Sequence, residues 1–214
     1  MVLSAEAFIA ANTQPGRAPL VPELLLHLAS EVTPLWQATE AWLEKANVAP
    51  PYWAFAWPGG QALARRVLGD PRLVRGRRVL DFAAGCGIAA LACARAGAAR
   101  VEAAEVDPLA VAAIGLNARL NALAVEACLG DLVGEAGRWD LILCGDVCYE
   151  APMTRHVLPW LRQLASVAEV WVADPGRAYL PAEGLAPLAR YDVPTSLDLE
   201  DRTLRPTTVY RLLA

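Results

Sequence analysis

The sequence predicts an α/β fold: a doubly wound, seven-stranded, mostly parallel sheet covered by helices on both faces, with an antiparallel last strand. Three observations carry that expectation. Short apolar runs alternate with helix-length segments from about residue 59 onward. A glycine turn, Gly85-Cys86-Gly87, follows the first of those runs, and acidic residues stand at or just beyond the ends of the first five.

The elements follow in order. Residues 61–68 read as a helix and 79–82 as a short buried strand that ends at the glycine turn. A helix over 88–96 is stopped by Gly97. Residues 101–106 form the second strand, Pro108 opens a helix running to about residue 120, and 125–129 form the third strand. A fourth strand over 139–144, a helix over 153–165 and a fifth strand over 169–173 continue the alternation. Strands at 189–194 and 207–212 complete the set as an antiparallel edge. Before Pro58 the pattern is different: short apolar runs are broken by Pro15, Pro19, Pro22, Pro34, Pro50 and Pro51, and four of the seven tryptophans lie there. Residues 1–57 are therefore read as a lid or docking segment on a main unit spanning 58–214, one domain overall.

Composition narrows the function. The chain has 214 residues, of which 56% are hydrophobic and 20% charged, enough apolar material for a sizeable core. A net charge of −4 without any basic run disfavours nucleic acid as a partner. The longest uncharged apolar stretch, 82–94, falls short of the ~20 residues of a membrane span. The N-terminus lacks the basic start and apolar run of a signal peptide, and five cysteines cannot all pair within one chain, so a reducing cytoplasm is the expected setting. Lys45 is the only lysine and follows no glycine-rich turn, which excludes a P-loop. His27 and His156 form no HExxH pair and Cys86 and Cys93 no CxxC, so no metal site is expected. No serine lies in GxSxG.

In open sheets of this kind the ligand lies at the carboxyl ends of the strands, where strand order reverses. The residues to inspect there are Asp81, Gly85, Gly87, Glu105, Asp107, Asp131, Asp146 and Asp174. Gly85-x-Gly87-x-x-Ala90 also satisfies a relaxed dinucleotide fingerprint, which keeps an NAD(P)-binding oxidoreductase open. A pyrophosphate, however, needs bare N–H groups, and a carboxylate such as Asp81 beside the turn opposes it. The acidic set favours a cationic ligand, and S-adenosylmethionine, with its sulfonium and ammonium groups, meets that requirement. Gly85 and Gly87 would let the backbone approach its amino-acid part, Glu105 or Asp107 would accept from the ribose hydroxyls, and Asp131 from the adenine amino group. The competing structural roles are plain: Asp107 precedes Pro108 as a helix cap would, and glycines also simply turn a chain.

These residues resemble the class I, Rossmann-like seven-strand S-adenosylmethionine-dependent methyltransferases over about 51–214. A nearer resemblance lies in Pro51-Tyr-Trp-Ala-Phe-Ala-Trp-Pro-Gly-Gly60, Glu105-Val-Asp-Pro-Leu-Ala, Leu116-Asn-Ala, Gly145-Asp-Val-Cys-Tyr-Glu150 and Asp174-Pro-Gly-Arg-Ala-Tyr-Leu-Pro181. Those stretches, with Phe8-Ile-Ala-Ala-Asn-Thr13 and Pro22-Glu23, are similar to the electron transfer flavoprotein beta-subunit lysine methyltransferases. Ala84 and Cys86 stand where serines are expected in the glycine loop, and Ala173 where a glycine usually precedes Asp174-Pro175.

The resemblance implies a protein-lysine Nε-methyltransferase that uses S-adenosyl-L-methionine without a metal and acts on the beta subunit of electron transfer flavoprotein. Its Asp-x-x-Tyr motif, Asp146-Val-Cys-Tyr149, would lie in the acceptor pocket as the catalytic pair. Asp146 would hold the amine's hydrogens and steer its lone pair, while Tyr149 would orient Asp146 or wall the channel. The loop from Asp174 to Pro181 would shape the acceptor pocket, with Arg177 paired to a neighbouring acid. Trp53 or Trp57, before Pro58, is expected to line the site, with Trp57 placed on the cofactor. Trp36, Trp42, Trp139, Trp160 and Trp171 read as core, Cys86 and Cys148 as small apolar fillers, and His156 as solvent-facing. Other acceptors, a ribosomal protein or a small amine such as nicotinamide, and a non-catalytic binding module stay open on sequence alone.

Overall fold

The structure, a computed structural model, describes residues 4–30, 50–195 and 200–214. It begins with α1 (Ala5–Asn12) and an antiparallel hairpin of β1 (Gln14–Ala18) and β2 (Val21–Leu28). A 3-10 turn at Tyr52–Ala54 leads to α2 (Pro58–Gly69), β3 (Arg78–Phe82), α3 (Ile88–Arg95), β4 (Arg100–Glu105), α4 (Pro108–Leu120) and β5 (Glu126–Leu129). β6 (Leu141–Gly145), α5 (Ala151–Leu164), β7 (Glu169–Asp174), β8 (Leu185–Pro194) and β9 (Leu204–Leu212) complete the chain.

The seven-stranded sheet has the order β5-β4-β3-β6-β7-β9-β8, parallel from β5 to β7, with β9 antiparallel to both of its neighbours. The predicted fold class is thus present, and the elements lie within a few residues of their predicted bounds. α2 starts three residues earlier than expected because Pro58 takes the first helical position, where its missing N–H costs nothing. The hairpin before it was not predicted. Pro15 and Pro22 are tolerated there because each strand of a two-stranded ribbon keeps an edge with no ladder to complete.

Strand alternation divides the core. Val79, Ala103, Leu141, Leu143, Trp171 and Ala173 pack with residues of α2, α3 and the hairpin, whereas Leu80, Phe82, Ile142, Cys144, Val170 and Val172 pack with α5. The hairpin is stitched to α4 by two asparagines. Asn117 Oδ1 accepts from His27 N–H at 2.7 Å and Asn121 Oδ1 from Leu25 N–H at 3.0 Å. Asn117 is fully buried, and its Nδ2 also donates to the Cys86 carbonyl at 2.9 Å, so one side chain joins the hairpin to the glycine turn. Trp139, Trp160 and Trp171 are buried, as expected, while Trp36 and Trp42 lie outside the described residues. No helix among the described residues is long and apolar enough to cross a membrane.

The direction of chain travel reverses around β3. From β3 the chain steps outward to β4 and β5, then returns to β6 on the other side. Phe82 is level with Ala104 on one flank and Cys144 on the other, so the loops that follow β3, β4 and β6 leave the sheet side by side. That is the switch point at which a ligand is expected.

Candidate active site

The first half of the site is the turn from β3 into α3. Ala83, Gly85 and Gly87 have φ of 52°, 55° and 76°, a left-handed path that glycine follows without steric cost. Gly87 is also closely packed, since a Cβ there would lie 3.1 Å from Ile114 Cγ1 on α4. The loop is held by Glu105 at the end of β4. Glu105 Oε1 accepts from Gly85 N–H at 2.7 Å and Oε2 from Val106 N–H at 3.1 Å. Burial pushes the Glu105 carboxyl up, partly opposed by those two N–H groups. Each oxygen spends one lone pair on the backbone and keeps capacity for a further donor.

The other predicted cofactor residues separate by position. Asp81 is in phase with Val79 and therefore faces α3 beneath the loop, where it is 3% exposed and accepts from Ala90 N–H at 2.8 Å. Burial pushes its carboxyl up to about 8, with the charge of Glu105 adding to the rise and the Ala90 N–H opposing it. The structure thus places Asp81 as support for the turn rather than on the rim. Asp107 caps α4, accepting from Leu109 N–H at 2.8 Å. Asp131 is exposed, accepts from Val133 N–H at 2.9 Å and pairs with the exposed His156 at 2.6 Å. The Gly130 N–H donates to the Glu105 carbonyl at 2.9 Å, which keeps Asp131 on the same rim.

The second half lies across the switch point at the end of β6. Asp146 has φ of 55°, a left-handed conformation that aspartate tolerates better than most residues. Its Oδ2 accepts from Gly59 N–H, in the first turn of α2, at 2.5 Å. Its Oδ1 accepts from Arg177 Nη2 at 3.0 Å and Nε at 3.3 Å. Burial pushes the Asp146 carboxyl up to about 6; Arg177 and the Gly59 N–H pull it back, and Asp174 adds to the rise. Two glycines make this approach possible. A Cβ on Gly59 would lie 2.5 Å from Asp146 Oδ2 and 2.6 Å from the Ala173 carbonyl oxygen, and one on Gly145 would lie 2.8 Å from Gly60 N. The Pro58-Gly59-Gly60 sequence therefore lets the N-terminus of α2 press directly on the ends of β6 and β7, where its unpaired N–H groups favour an anion.

Arg177 reaches Asp146 from the turn after β7. Asp174 shapes that turn, its Oδ1 accepting from Gly176 N–H at 2.7 Å and Arg177 N–H at 2.6 Å, while its buried Oδ2 has no hydrogen-bond partner among the described residues. The same guanidinium donates to Glu200 Oε1 at 2.6 Å, and Arg205 also bonds Glu200, at 2.9 Å. The acid expected beside Arg177 is thus two acids. Gly59, Glu200 and Arg205 were not singled out from the sequence as parts of a site. Only the glycine pair before α2 was a visible signal.

An aromatic wall borders this rim. The Tyr149 ring is 5.7 Å from that of Tyr52, which is 6.1 Å from Trp57, which is 5.9 Å from Phe55. The Trp57 indole N–H donates to the Tyr52 carbonyl at 2.8 Å, and that carbonyl lies 4.0 Å from where a Gly85 Cβ would be. Tyr52 therefore lies over the glycine turn. Tyr149 belongs to this wall, while Gly59 and Arg177 are what hold Asp146. Burial, with Tyr52, Glu150 and Glu105 adding, pushes the Tyr149 hydroxyl up to about 12, so it is neutral near pH 7. Trp53 is buried with Ile9, Phe55 and Ala113, leaving Trp57 as the tryptophan at the rim. Cys86 and Cys148 are buried with thiols pushed up to about 12, chiefly by burial, which suits fillers and not nucleophiles.

An open α/β sheet with an antiparallel β9, a glycine turn tied to an acid at the end of the next strand, and a buried acid across the switch point define a Rossmann-like S-adenosylmethionine-dependent methyltransferase. A family model described as ribosomal protein L11 methyltransferase (PrmA) matches residues 66–146. A magnesium protoporphyrin IX methyltransferase from Synechocystis, solved with bound SAM, shares the fold at a TM-score of 0.54 and 17% identity, over 72% of this chain and 77% of that one. Similarity to the electron transfer flavoprotein beta subunit lysine methyltransferase extends much further along the sequence. The Xenopus laevis protein is 38% identical over 95% of this chain and 85% of its own length, and the Homo sapiens protein 36% identical over 96% and 80%. The chain belongs to the electron transfer flavoprotein beta subunit lysine methyltransferase family.

Proposed function

We infer that this protein transfers a methyl group from S-adenosylmethionine to the ε-amine of a lysine on the beta subunit of electron transfer flavoprotein. The observation that carries the reading is the Asp146 carboxylate, largely buried yet held by Gly59 and Arg177, at the end of β6 and so beside β3, the strand that leads into the Glu105-tied glycine turn. The names of the relatives support the acceptor.

The residues present fit the donor. Glu105 keeps lone pairs for two ribose hydroxyls, Gly85 and Gly87 leave the backbone bare for the amino-acid part, and Asp107 and Asp131 continue the acidic rim. Asp81 contributes by fixing the first turn of α3. S-adenosylmethionine, when bound, supplies a methyl group made electrophilic by its sulfonium.

On the acceptor side the chain must present a neutral amine in line with the leaving sulfur. Lysine has a pKa of ~10.4, and entry into an enclosed pocket lowers it by desolvation. Asp146 then accepts the amine's hydrogens, steers its lone pair and stabilises the positive charge that develops on nitrogen. Tyr149, Tyr52 and Trp57 would wall the passage for the amine. The test is incubation of the purified chain with methyl-labelled S-adenosylmethionine and the purified beta subunit. Label on a lysine is expected, and its absence would remove the substrate assignment.

A further inference from the structure

Asp146 is not an isolated carboxylate. Arg177 bridges it to Glu200, and both acids are mostly buried, with side chains 11% and 4% exposed. The arginine side chain is itself only 19% exposed. A guanidinium forked between two acids has a fixed plane and a fixed position, unlike an exposed ion pair that solvent loosens. Its backbone is fixed as well, by Asp174 through the Gly176 and Arg177 N–H groups. The pair joins three remote parts of the chain: the end of β6, the turn after β7 and the approach to β9.

Resting on the lysine methyltransferase reading above, we propose that Arg177 is a positioning residue of the reaction: anchored by Glu200, its guanidinium holds the Asp146 carboxylate against the N-terminus of α2 and keeps a cation beside the acceptor amine. The charge has a purpose distinct from the geometry. A lone buried carboxylate facing a lysine would hold the lysine in its protonated, unreactive form. The groups around Asp146 are the Gly59 N–H on α2, Asp174 at the end of β7, Arg177, and behind it Glu200 with Arg205 on β9; Cys148 nearby is a neutral thiol. Among the described residues Arg177 is the cation in direct contact with Asp146. It favours the ionised acid and disfavours the charged amine, so both groups reach their reactive forms at lower pH than they would without it.

The sign of the test follows. Removing the cation raises both pKa values, so the ascending limb of the rate against pH moves to higher pH, by about one to two units for a charge lost within a few ångströms. Arg177→Gln should lose about 10–100-fold in kcat at a pH on that limb and recover much of it at higher pH. Arg177→Lys, which keeps charge but not the fork, should leave the limb near its wild-type position while lowering kcat. Glu200→Gln keeps the cation and releases its anchor, so it should lower kcat at every pH with no alkaline shift. Binding of S-adenosylhomocysteine by calorimetry establishes that each variant is folded.

A second readout needs no acceptor: titration of the 13C-labelled Asp146 carboxyl by NMR, assigned with Asp146→Asn, should show the carboxyl rising by about one unit or more in Arg177→Gln. An Asp146 signal that titrates unchanged, or a limb that stays in place while the rate falls equally at all pH values, would overturn the proposal. A moved Asp146 signal in a chain that methylates nothing would overturn the functional reading alone.

Discussion

Gly59→Ala tests the contact that holds Asp146, the acid proposed to meet the acceptor amine. The added Cβ would lie 2.5 Å from Asp146 Oδ2, 2.6 Å from the Ala173 carbonyl oxygen and 2.7 Å from the Asp146 backbone nitrogen. An ordinary contact is roughly 3.5 Å, so α2 or the ends of β6 and β7 must retreat by about 1 Å. Two of the three obstructing atoms are backbone, and the third belongs to a carboxylate whose other oxygen is held by Arg177, so no flexible side chain absorbs the clash. Overpacking of this kind costs about 1–3 kcal/mol. Loss of the Gly59 N–H bond to a buried carboxylate costs about 1.5–3 kcal/mol more. The better helix propensity of alanine returns about 1 kcal/mol at most. The net destabilisation is about 1.5–5 kcal/mol, and about 3 kcal/mol, near the middle of that range, corresponds to a Tm lower by about 6–12 °C for a domain of this size. The same 1 Å displacement of Asp146 should lower kcat by about 100-fold. Urea denaturation and the turnover assay measure the two effects, while calorimetry with S-adenosylhomocysteine should show affinity within a few-fold, because the glycine turn is untouched. A variant within about 0.5 kcal/mol of wild type and with full turnover would refute the close approach of α2 to Asp146.

Three further outcomes are expected. Asp146→Asn should cut kcat by at least about 100-fold while leaving S-adenosylhomocysteine affinity within a few-fold; a fully active variant would end the assigned role of this acid. Glu105→Gln should weaken S-adenosylhomocysteine binding by about 10–100-fold by calorimetry, since it loses the charge-assisted bond to the glycine turn and the bonds proposed to the ribose. Asp81 has its carboxyl raised to about 8 in the folded chain against ~3.9 when unfolded, so folding is favoured by its protonation and that advantage is lost as pH rises through this window. Asp81→Asn, which cannot ionise, should therefore gain about 2–3 kcal/mol on wild type between pH 5 and pH 7, and denaturation curves that stay parallel across that range would contradict a protonated buried carboxyl.

The residues whose positions in the fold were legible in the sequence are those set by local structure. Gly85, Gly87 and Glu105 belong to one strand–helix–strand unit, and turn chemistry and the end of an apolar run suffice to locate them. Asp81 shows where such reasoning stops. Its place at a strand end suggested the rim, but a strand alternates faces, and the side on which α3 packs sends its carboxyl under the loop. Tyr149 was located by its motif, yet only the packing of Tyr52 and Trp57 against it tells wall from orienting partner.

By itself the sequence determined the class of fold, the order of its elements, the glycine turn and the acidic rim, because apolar periodicity, turn residues and charge are properties of short stretches of chain. Only the tertiary structure decided what holds the Asp146 carboxylate at the end of β6. Gly59 and Arg177 meet Asp146 across separations of 87 and 31 residues, and Glu200 meets Arg177 across 23. No local pattern specifies such pairings. They exist because α2, the turn after β7 and the approach to β9 are brought over one strand end by burial of the faces of a common sheet.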